Sequence, residues 1–287
     1  MQDLNGRVAV ITGAGTGMGR SMALSLAKEG VNLVVSDIEP AFAEAVRDEA
    51  AALGSNAVSA GVDVSKLSEV QALADLAYDR FGKVDILINN AGVTLRPFRA
   101  VWDTSYEDFQ WVVGVNIWGV INGVHVFVPR MRRQEGEKHI VNVSSMGTLA
   151  KVPGHSTYVM TKAAVNGFSD VIREELKDDG FGVTVLYPGY VKTRIATSER
   201  LRPESERSDL RNVPSYESYR KADSDAPLSS PVRIADAGAM QVAIEADEVG
   251  PMVIRAIREN RPYCLTHPAP DVPMRTQLEE LINGYAS

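Results

Sequence analysis

Short runs of aliphatic and β-branched residues alternate along the chain with longer amphipathic stretches. The short runs, at 7–12, 32–36, 58–62, 84–88, 138–144, 182–187 and 263–266, predict β-strands. The longer stretches, at 20–30, 41–53, 66–82, 106–134, 157–180, 246–260 and 273–284, predict helices. Because the first short run is apolar almost without a break, it is typical of a parallel strand that helices cover on both faces. The pattern therefore predicts an α/β fold.

The composition narrows the class of protein. With 287 residues, 45% of them hydrophobic, the chain can form one large α/β domain or two small ones. A net charge of −7, from 30 basic and 37 acidic side chains, argues against nucleic acid as the main partner. The single cysteine, Cys264, excludes an internal disulfide, and the four histidines lack the spacing of metal ligands. We therefore expect no metal site.

The beginning of the chain and the length of its apolar runs bear on localisation. The N-terminus leads directly into a strand and a glycine-rich turn rather than into a signal sequence. No apolar run approaches the roughly 20 residues of a membrane span. We expect a cytoplasmic protein without a membrane partner.

A glycine-rich turn follows the first predicted strand and precedes the first predicted helix. Gly13, Gly17 and Gly19 are spaced as G-x-x-x-G-x-G, with Thr16 and Met18 between them. In this context glycines let the backbone approach a pyrophosphate, and the helix N-terminus supplies N–H groups and positive potential. The turn therefore predicts a dinucleotide site.

An acidic residue ends the second predicted strand. Asp37 follows Gly17 by 20 residues, where a carboxylate can accept both hydroxyls of an adenosine ribose and repel a 2′-phosphate. No arginine flanks Asp37 and Thr16 is uncharged, so NAD(H) is favoured over NADP(H). Asp37 can also cap the helix that begins near Pro40.

Other polar residues mark strand ends and one helix. Asp63 can hydrogen-bond an adenine amino group or cap a helix starting near Ser65. Asparagines in the segment 89–92 can bond neighbouring strands, while its small residues leave space for a ring system. Asn116, in the apolar helix 106–134, is either a satisfied core group or part of the site.

Tyr158 and Lys162 stand four residues apart in a predicted helix, and Ser145 lies 13 residues before the tyrosine. Residues at i and i+4 share one helix face, so the ammonium can lie beside the phenol and favour its ionised form. Ser145 follows a strand, at the edge where open α/β sheets place their ligands. The three residues can polarise a carbonyl or deprotonate an alcohol. The alternative is an ordinary surface pair.

The sixth predicted strand ends in a rigid turn, Pro188-Gly189-Tyr190-Val191-Lys192-Thr193. The Val191 backbone and the Thr193 hydroxyl can hold a nicotinamide carboxamide there. From 194 to 231 the chain becomes rich in Arg, Glu, Ser, Asp and Pro, which predicts a substrate lid or a mobile surface excursion.

A mostly apolar pocket is expected beneath this lid. The candidate substrate residues are Val93, Leu95, Met146, Leu149, Val152, His155, Tyr190 and Ile195. Because most of these side chains are apolar, they favour a hydrophobic or aromatic substrate. Arg96, Arg99 and Arg194 are expected at the rim, either solvated or binding a carboxylate or phosphate.

In order along the chain, these motifs resemble those of the short-chain dehydrogenase/reductase superfamily, in its soluble single-domain branch. The motifs are Thr12-Gly13-x-x-x-Gly17-x-Gly19, Asp63, Asn89-Asn90-Ala91-Gly92, Asn116, Ser145, Tyr158-x-x-x-Lys162, and Pro188-Gly189 with Thr193. The resemblance implies a Rossmann-type, doubly wound sheet of seven mainly parallel strands with helices on both faces. It also implies one catalytic domain over 1–287.

The resemblance assigns roles to four catalytic residues. Tyr158 is the acid/base, and Ser145 orients the substrate oxygen. Lys162 lowers the pKa of Tyr158 and holds the nicotinamide ribose, while Asn116 supports a water that leads protons to Lys162. The expected cofactor-binding residues are Gly13, Thr16, Gly17, Met18, Gly19, Asp37, Ile38, Asp63, Val64, Asn90, Ala91, Gly92, Tyr158, Lys162, Pro188, Gly189, Val191 and Thr193.

The activity implied is NAD-dependent interconversion of a secondary alcohol and a ketone. Residues 114–123, 127–131 and 195–203 are similar to bacterial Cα-dehydrogenases that oxidise benzylic alcohols of lignin-derived β-aryl ethers. Hydroxysteroid, sugar-alcohol and 3-oxoacyl thioester substrates stay open, as does a non-catalytic NAD-sensing regulator. The resemblance also implies a homotetramer or homodimer joined through the helices that begin near Tyr106 and Thr157.

Overall fold

Seven parallel strands form the central sheet. The computed structural model describes residues 1–150, 152–204 and 242–284. The sheet strands are β1 (Val8–Ile11), β2 (Asn32–Asp37), β3 (Ala57–Gly61), β4 (Ile86–Asn89), β5 (Lys138–Val143), β6 (Phe181–Tyr187) and β9 (Tyr263–Leu265). Their order in the sheet is β3-β2-β1-β4-β5-β6-β9. Two short parallel strands, β7 (Val191–Lys192) and β8 (Ile244–Glu245), pair beside the sheet. The predicted parallel α/β sheet is confirmed.

Helices cover both faces of this sheet. They are α1 (Gly17–Lys28), α2 (Pro40–Ala52), α3 (Leu67–Phe81), α4 (Tyr106–Val113), α5 (Gly119–Met131), α6 (Ser156–Leu176), α7 (Val249–Arg258) and α8 (Asp271–Asn283). Ala9 and Ile11 of β1 pack in a cluster with α1, α2 and α7, whereas Val10 packs in a second cluster with α3, α5 and α6. Because successive strand residues point to opposite faces, this division shows a Rossmann-type doubly wound sheet.

The strand order reverses beside β1. The chain runs outward from β1 through β2 to β3, and then returns to place β4 on the other side of β1. Ligands of open α/β sheets bind at such a reversal, outside the carboxyl ends of the strands. The glycine-rich turn after β1 and the asparagines at the end of β4 therefore lie together at this edge.

The predicted long helix 106–134 differs from a regular α-helix in its centre. A π-helical stretch, Gly114–Trp118, separates α4 from α5. Such stretches insert an extra residue into the helical turn and often occur at functional sites. This one contains the fully buried Asn116.

The combined helix Tyr106–Met131 is long and apolar enough to cross a membrane by length and composition alone. The prediction that no apolar stretch reaches this length is therefore corrected. Most of its apolar part is buried inside the molecule, which is typical of a core helix. Its membrane-like composition is accordingly weak support for a span.

The segment 194–231, predicted as a lid, lies outside the described residues from 205 onward. Its first part forms a 3₁₀-helical stretch, Arg194–Leu201. The lid over the remainder stays a prediction.

Candidate active site

One open cleft lies at the carboxyl ends of β1, β4, β5 and β6. Its lining includes every cofactor-binding residue predicted from the sequence, together with Ser145. These residues come from separate strand ends that the parallel sheet brings to one edge. The sequence motifs, which are scattered from Gly13 to Thr193, therefore form a single site.

The glycine-rich turn makes a cradle that a side chain would fill. Gly13 has a φ of +61°, and a Cβ there would lie 2.7 Å from the Ala91 Cα. A Cβ at Gly19 would lie 2.2 Å from the Gly13 carbonyl oxygen. Helix α1 begins at Gly17 without an acidic residue in its first turn. An approachable backbone and a helix N-terminus fit the pyrophosphate of a dinucleotide.

Asn90 ties this turn to the end of β4. Its side-chain Nδ2 donates to the Thr12 oxygen over 2.9 Å and to the Gly13 oxygen over 2.8 Å. In return, the Thr12 hydroxyl accepts the backbone N–H groups of Asn90 and Ala91. The strand-end asparagine thus holds neighbouring strands together, as its position predicted.

Two aspartates face the cleft at the ends of β2 and β3. The Asp37 carboxylate accepts the Gly15 N–H over 2.9 Å and the Glu39 N–H over 3.0 Å, so it is fixed in orientation. Asp63 accepts the backbone N–H and the hydroxyl of Ser65 while it lines the cleft. The N-cap residues of the following helices are Glu39 and Lys66, so neither aspartate caps its helix and the capping alternative is wrong. Both carboxylates instead stabilise the turn before the helix, and their binding of ribose and adenine stays a prediction.

The far end of the cleft brings together the side chains of Ser145, Tyr158 and Lys162. Helix α6 carries Tyr158 and Lys162, both buried, and the Lys162 Nζ lies 5.7 Å from the tyrosine ring centroid. Lys162 also donates to the Val143 oxygen at the end of β5 over 2.8 Å, which fixes its ammonium. Ser145 follows the same strand, and its hydroxyl accepts the Gly147 N–H over 3.0 Å.

Burial shifts the pKa values of both helix residues. It raises the pKa of Tyr158 to about 12, against the opposing effects of a side-chain hydrogen bond with Ser145 and the positive charge of Arg96. It lowers the pKa of Lys162 to about 8. Desolvation disfavours the charged form of each group. The net shift of the Tyr158 pKa is therefore upward, and a lowering contribution from Lys162 stays a prediction.

Asn116 has its amide fully engaged. Its Oδ1 accepts the Val93 N–H over 2.9 Å, and its Nδ2 donates to the Val93 oxygen and the Thr161 hydroxyl over 3.0 Å each. These bonds fix the backbone after β4 against α6. Asn116 is a satisfied buried group that shapes the site, and its predicted water stays a prediction.

His155 packs directly on the phenol. The two rings lie face to face with centroids 4.5 Å apart and planes 7° from parallel. The His155 Nε2 lies 2.8 Å from the Thr94 hydroxyl oxygen. Burial, with a smaller effect of the Arg96 charge, lowers the pKa of His155 to about 4. The ring is therefore uncharged at neutral pH and covers one face of Tyr158.

The predicted substrate residues are only partly brought together. Val93 and Ile195 line the cleft. Outside the cleft lining of the described chain lie Leu95, Met146, Leu149, Val152, His155 and Tyr190. Met146 is fully buried against Val185 and Tyr187, so it packs under the sheet edge.

The remaining candidates occupy several different environments. Leu95 packs with Val112 in a small buried cluster, and Leu149 packs beside the Met146 cluster. Val152 is partly buried in the loop before α6, while Tyr190 is 60% exposed. Their contact with a substrate stays a prediction.

Arg99 is not at a solvated rim. Its side chain is 1% exposed, and its guanidinium contacts the Asp108 carboxylate and lies 3.4 Å from Glu199. Arg202, also buried, donates to the other Asp108 oxygen over 2.5 Å. The prediction that Arg99 lies at the rim of the pocket is therefore wrong. Asp108 supplies a buried counter-charge for both Arg99 and Arg202, and the latter is distant from it in sequence.

Several cleft residues escaped the sequence analysis. They are Trp111, Val115, Ser198, Arg200 and Leu201, whereas Arg194 lies at the cleft as predicted. Trp111 and Val115 stand four apart on the helix that carries Asn116, a spacing that places them on one face. No spacing in the sequence indicated that Ser198, Arg200 and Leu201 would reach the cleft, because their position depends on how the chain turns after Thr193.

Comparison with known proteins supports these observations. A family model described as short chain dehydrogenase matches residues 7–204. The chain is similar to a solved short chain dehydrogenase/reductase from Burkholderia phymatum in complex with NAD, with 35% identity and a TM-score of 0.86, covering 99% of this chain and 97% of that chain.

Two curated relatives are dehydrogenases. A cyclohexanol dehydrogenase of Acinetobacter sp. is 36% identical over 66% of this chain and 74% of that protein. A C alpha-dehydrogenase of Sphingobium sp. is 29% identical over 100% of this chain and 88% of that protein.

Proposed function

Because the chain belongs to the short-chain dehydrogenase family, we propose that it interconverts a secondary alcohol and a ketone with NAD(H). In oxidation the carbinol carbon loses a hydride to NAD⁺ and the hydroxyl loses a proton, which yields the ketone, NADH and H⁺. The observation that carries this proposal is the convergence of Ser145, Tyr158 and Lys162 in one cleft with the dinucleotide cradle.

The side chains divide the proton chemistry between them. The Ser145 side chain lowers the pKa of Tyr158 against the effect of burial, which supports a role for the serine in binding the substrate oxygen beside the phenol. With its pKa raised, Tyr158 is a neutral phenol at neutral pH and can donate its proton to a ketone oxygen. Lys162, anchored on Val143, supplies a cation behind the phenol. A bound nicotinamide supplies the hydride donor or acceptor.

The ribose end of the cleft supports a preference for NAD. The Asp37 carboxylate is held by two backbone N–H groups and faces the cleft. A fixed carboxylate accepts ribose hydroxyls and repels a 2′-phosphate. The family relationship supports a nicotinamide cofactor, and NAD is our proposal for which one.

Adding a methyl group at Gly19 is expected to weaken nucleotide binding. The Cβ of Gly19→Ala would clash with the Gly13 oxygen at 2.2 Å, so the turn must shift away from its present geometry. NADH fluorescence titration should show at least about a tenfold weaker Kd. The matched control is Gly167→Ala in α6, where a Cβ meets nothing within 4 Å. Equal affinities of the two variants would contradict the cradle.

The substrate is proposed to be hydrophobic or aromatic, such as a benzylic alcohol. Val93, Trp111, Val115, Ile195 and Leu201 give the cleft an apolar wall near the catalytic groups. Apolar walls with a few polar groups favour ligands of this kind. The relative named cyclohexanol dehydrogenase acts, by its name, on an apolar secondary alcohol, which supports this choice of substrate class.

A turnover screen tests this function. NADH formation would be measured with aryl carbinols, steroids, sugar alcohols and 3-hydroxyacyl thioesters, using Ser145→Ala as the inactive control. We expect the largest kcat/KM with an aryl or other apolar secondary carbinol. A better rate with another class would replace the substrate assignment. NADH binding without turnover of any of them would favour a non-catalytic NAD-sensing regulator.

Three further properties stay predictions. They are the single domain with its lid, the homotetramer or homodimer, and the cytoplasmic location.

In residues 1–150, 152–204 and 242–284, no group of three or more His, Cys, Asp or Glu side chains is arranged to hold a metal ion.

A further inference from the structure

A pair of opposite charges spans the ribose end of the cleft. Arg200, from the 3₁₀ stretch after Thr193, lines the same cleft as Asp37. Its Nη2 donates to the Glu39 Oε2 over 3.0 Å, and Glu39 directly precedes α2. The pair therefore links the segment that follows β7 to the helix that follows β2, across the place where Asp37 is held.

The Arg200 guanidinium has a defined orientation. Its Nη1 donates to the Thr197 carbonyl and hydroxyl oxygens over 3.0 and 3.1 Å. The side chains of Arg200 and Glu39 are only 28% and 34% exposed, so both are partly withdrawn from solvent. The arginine is thus a positioned cation whose charge Glu39 offsets.

A second arginine reaches the same edge. The Arg194 guanidinium lies over the Phe42 ring of α2, 4.9 Å from its centroid. Phe42 borders the glycine-rich turn, since a Cβ on Gly15 would lie 2.6 Å from the Phe42 Cβ and 2.8 Å from an Asp37 oxygen. This edge of the cleft therefore holds two arginines, Arg194 and Arg200, and two carboxylates, those of Asp37 and Glu39.

We propose that Glu39 is a second determinant of cofactor selectivity, acting with Asp37: it offsets the charge of Arg200, which would otherwise bind an adenosine 2′-phosphate. Arginine is the preferred side chain for phosphate groups because it offers several N–H donors in a planar fork. With Glu39 ionised, a 2′-phosphate meets two carboxylates, and the nearby guanidinium is already paired. This inference rests on the proposed nicotinamide site and extends it.

Glu39→Gln removes the charge and keeps an oxygen that can accept from Arg200, so the link between the two segments is retained. Dissociation constants of NADH and NADPH would be measured by fluorescence titration. We expect the NADPH Kd to fall by about tenfold and the NADH Kd to change by less than about twofold. The gain should shrink at high salt, because the new attraction is between partly exposed charges.

Two further variants isolate the cause. Glu49→Gln removes the same charge from within α2, but Glu49 pairs with Arg20 and not with Arg200, so the NADPH to NADH ratio should not change. The double variant Glu39→Gln/Arg200→Gln should lose the gain in NADPH affinity, because the phosphate partner is gone.

The outcomes separate this inference from the proposed function. If Glu39→Gln weakens both nucleotides equally or leaves their ratio unchanged, Glu39 only fastens the two segments and the selectivity role is wrong. If the unaltered protein binds neither NADH nor NADPH, the proposed oxidoreductase function itself is overturned.

Discussion

Replacing Tyr158 by phenylalanine is expected to lower kcat by about a hundredfold or more while NADH binding stays nearly unchanged. The substitution removes only the hydroxyl. The ring remains stacked on His155 at 4.5 Å and buried beneath it, so no cavity forms. A positioned acid or base typically contributes between about 10² and 10⁴ to a rate. Steady-state kinetics with the best alcohol of the screen and with its ketone would measure the loss.

The pH profile distinguishes a proton-transfer role from a structural one. Burial raises the pKa of Tyr158 to about 12, so its deprotonated fraction is small at neutral pH and increases as pH rises. Alcohol oxidation, which needs the deprotonated phenol, should therefore accelerate with pH. Ketone reduction needs the protonated form, which predominates until the pH approaches this pKa, so its rate should fall only there. His155→Phe, which keeps an aromatic ring against Tyr158, serves as the control and should retain this profile. Near-normal turnover by Tyr158→Phe with NADH bound would refute the assignment.

Replacing Asp108 by asparagine is expected to cost about 3–5 kcal/mol of unfolding free energy. Asp108 accepts from Arg99 through one carboxylate oxygen and from Arg202 through the other, and all three side chains are at most 1% exposed. The asparagine has nearly the same shape, but it removes the buried carboxylate nearest to both guanidinium groups. The Glu199 carboxylate lies farther away, 3.4 Å from Arg99 and 3.7 Å from Arg202. Removing one partner of a buried ion pair destabilises a protein far more than replacing the whole pair by apolar residues, because it leaves a buried charge without compensation.

Urea unfolding followed by circular dichroism would measure this loss. At roughly 2–4 °C per kcal/mol for a domain of this size, the melting temperature should fall by about 10 °C. The matched control is Asp75→Asn, which breaks an exposed pair with Arg130 and should cost at most about 1 kcal/mol. If the two variants lost equal stability, the buried cluster would contribute no more than a surface pair.

The Asp108 cluster also positions the cleft. Asp108 lies in the first turn of α4, where it forms a capping box with Ser105. Arg202 closes the 3₁₀ stretch that carries Arg200 and Ser198 to the cleft. A buried charge cluster that joins these two elements sets where the chain after Thr193 runs. The stability of the cluster and the shape of the cleft are therefore linked.

The sequence by itself determined the alternation of strands and helices and the residues of the dinucleotide cradle. Gly13, Gly17 and Gly19 follow a strand and open a helix, and Tyr158 and Lys162 are one helical turn apart. These features depend on neighbours a few residues away, so local spacing alone specifies their geometry. The parallel order of the strands then brings the motifs to one edge.

The tertiary structure alone decided which charges are buried and which partners they meet. Arg202 contacts Asp108 across 94 residues of sequence, and Arg200 contacts Glu39 across 161. No local pattern encodes such pairs. The direction of the Tyr158 pKa shift likewise depends on burial, which opposes the effect expected from Lys162. Desolvation and long-range charge pairing arise only when the chain is packed, because both depend on the distance between atoms in space rather than along the sequence.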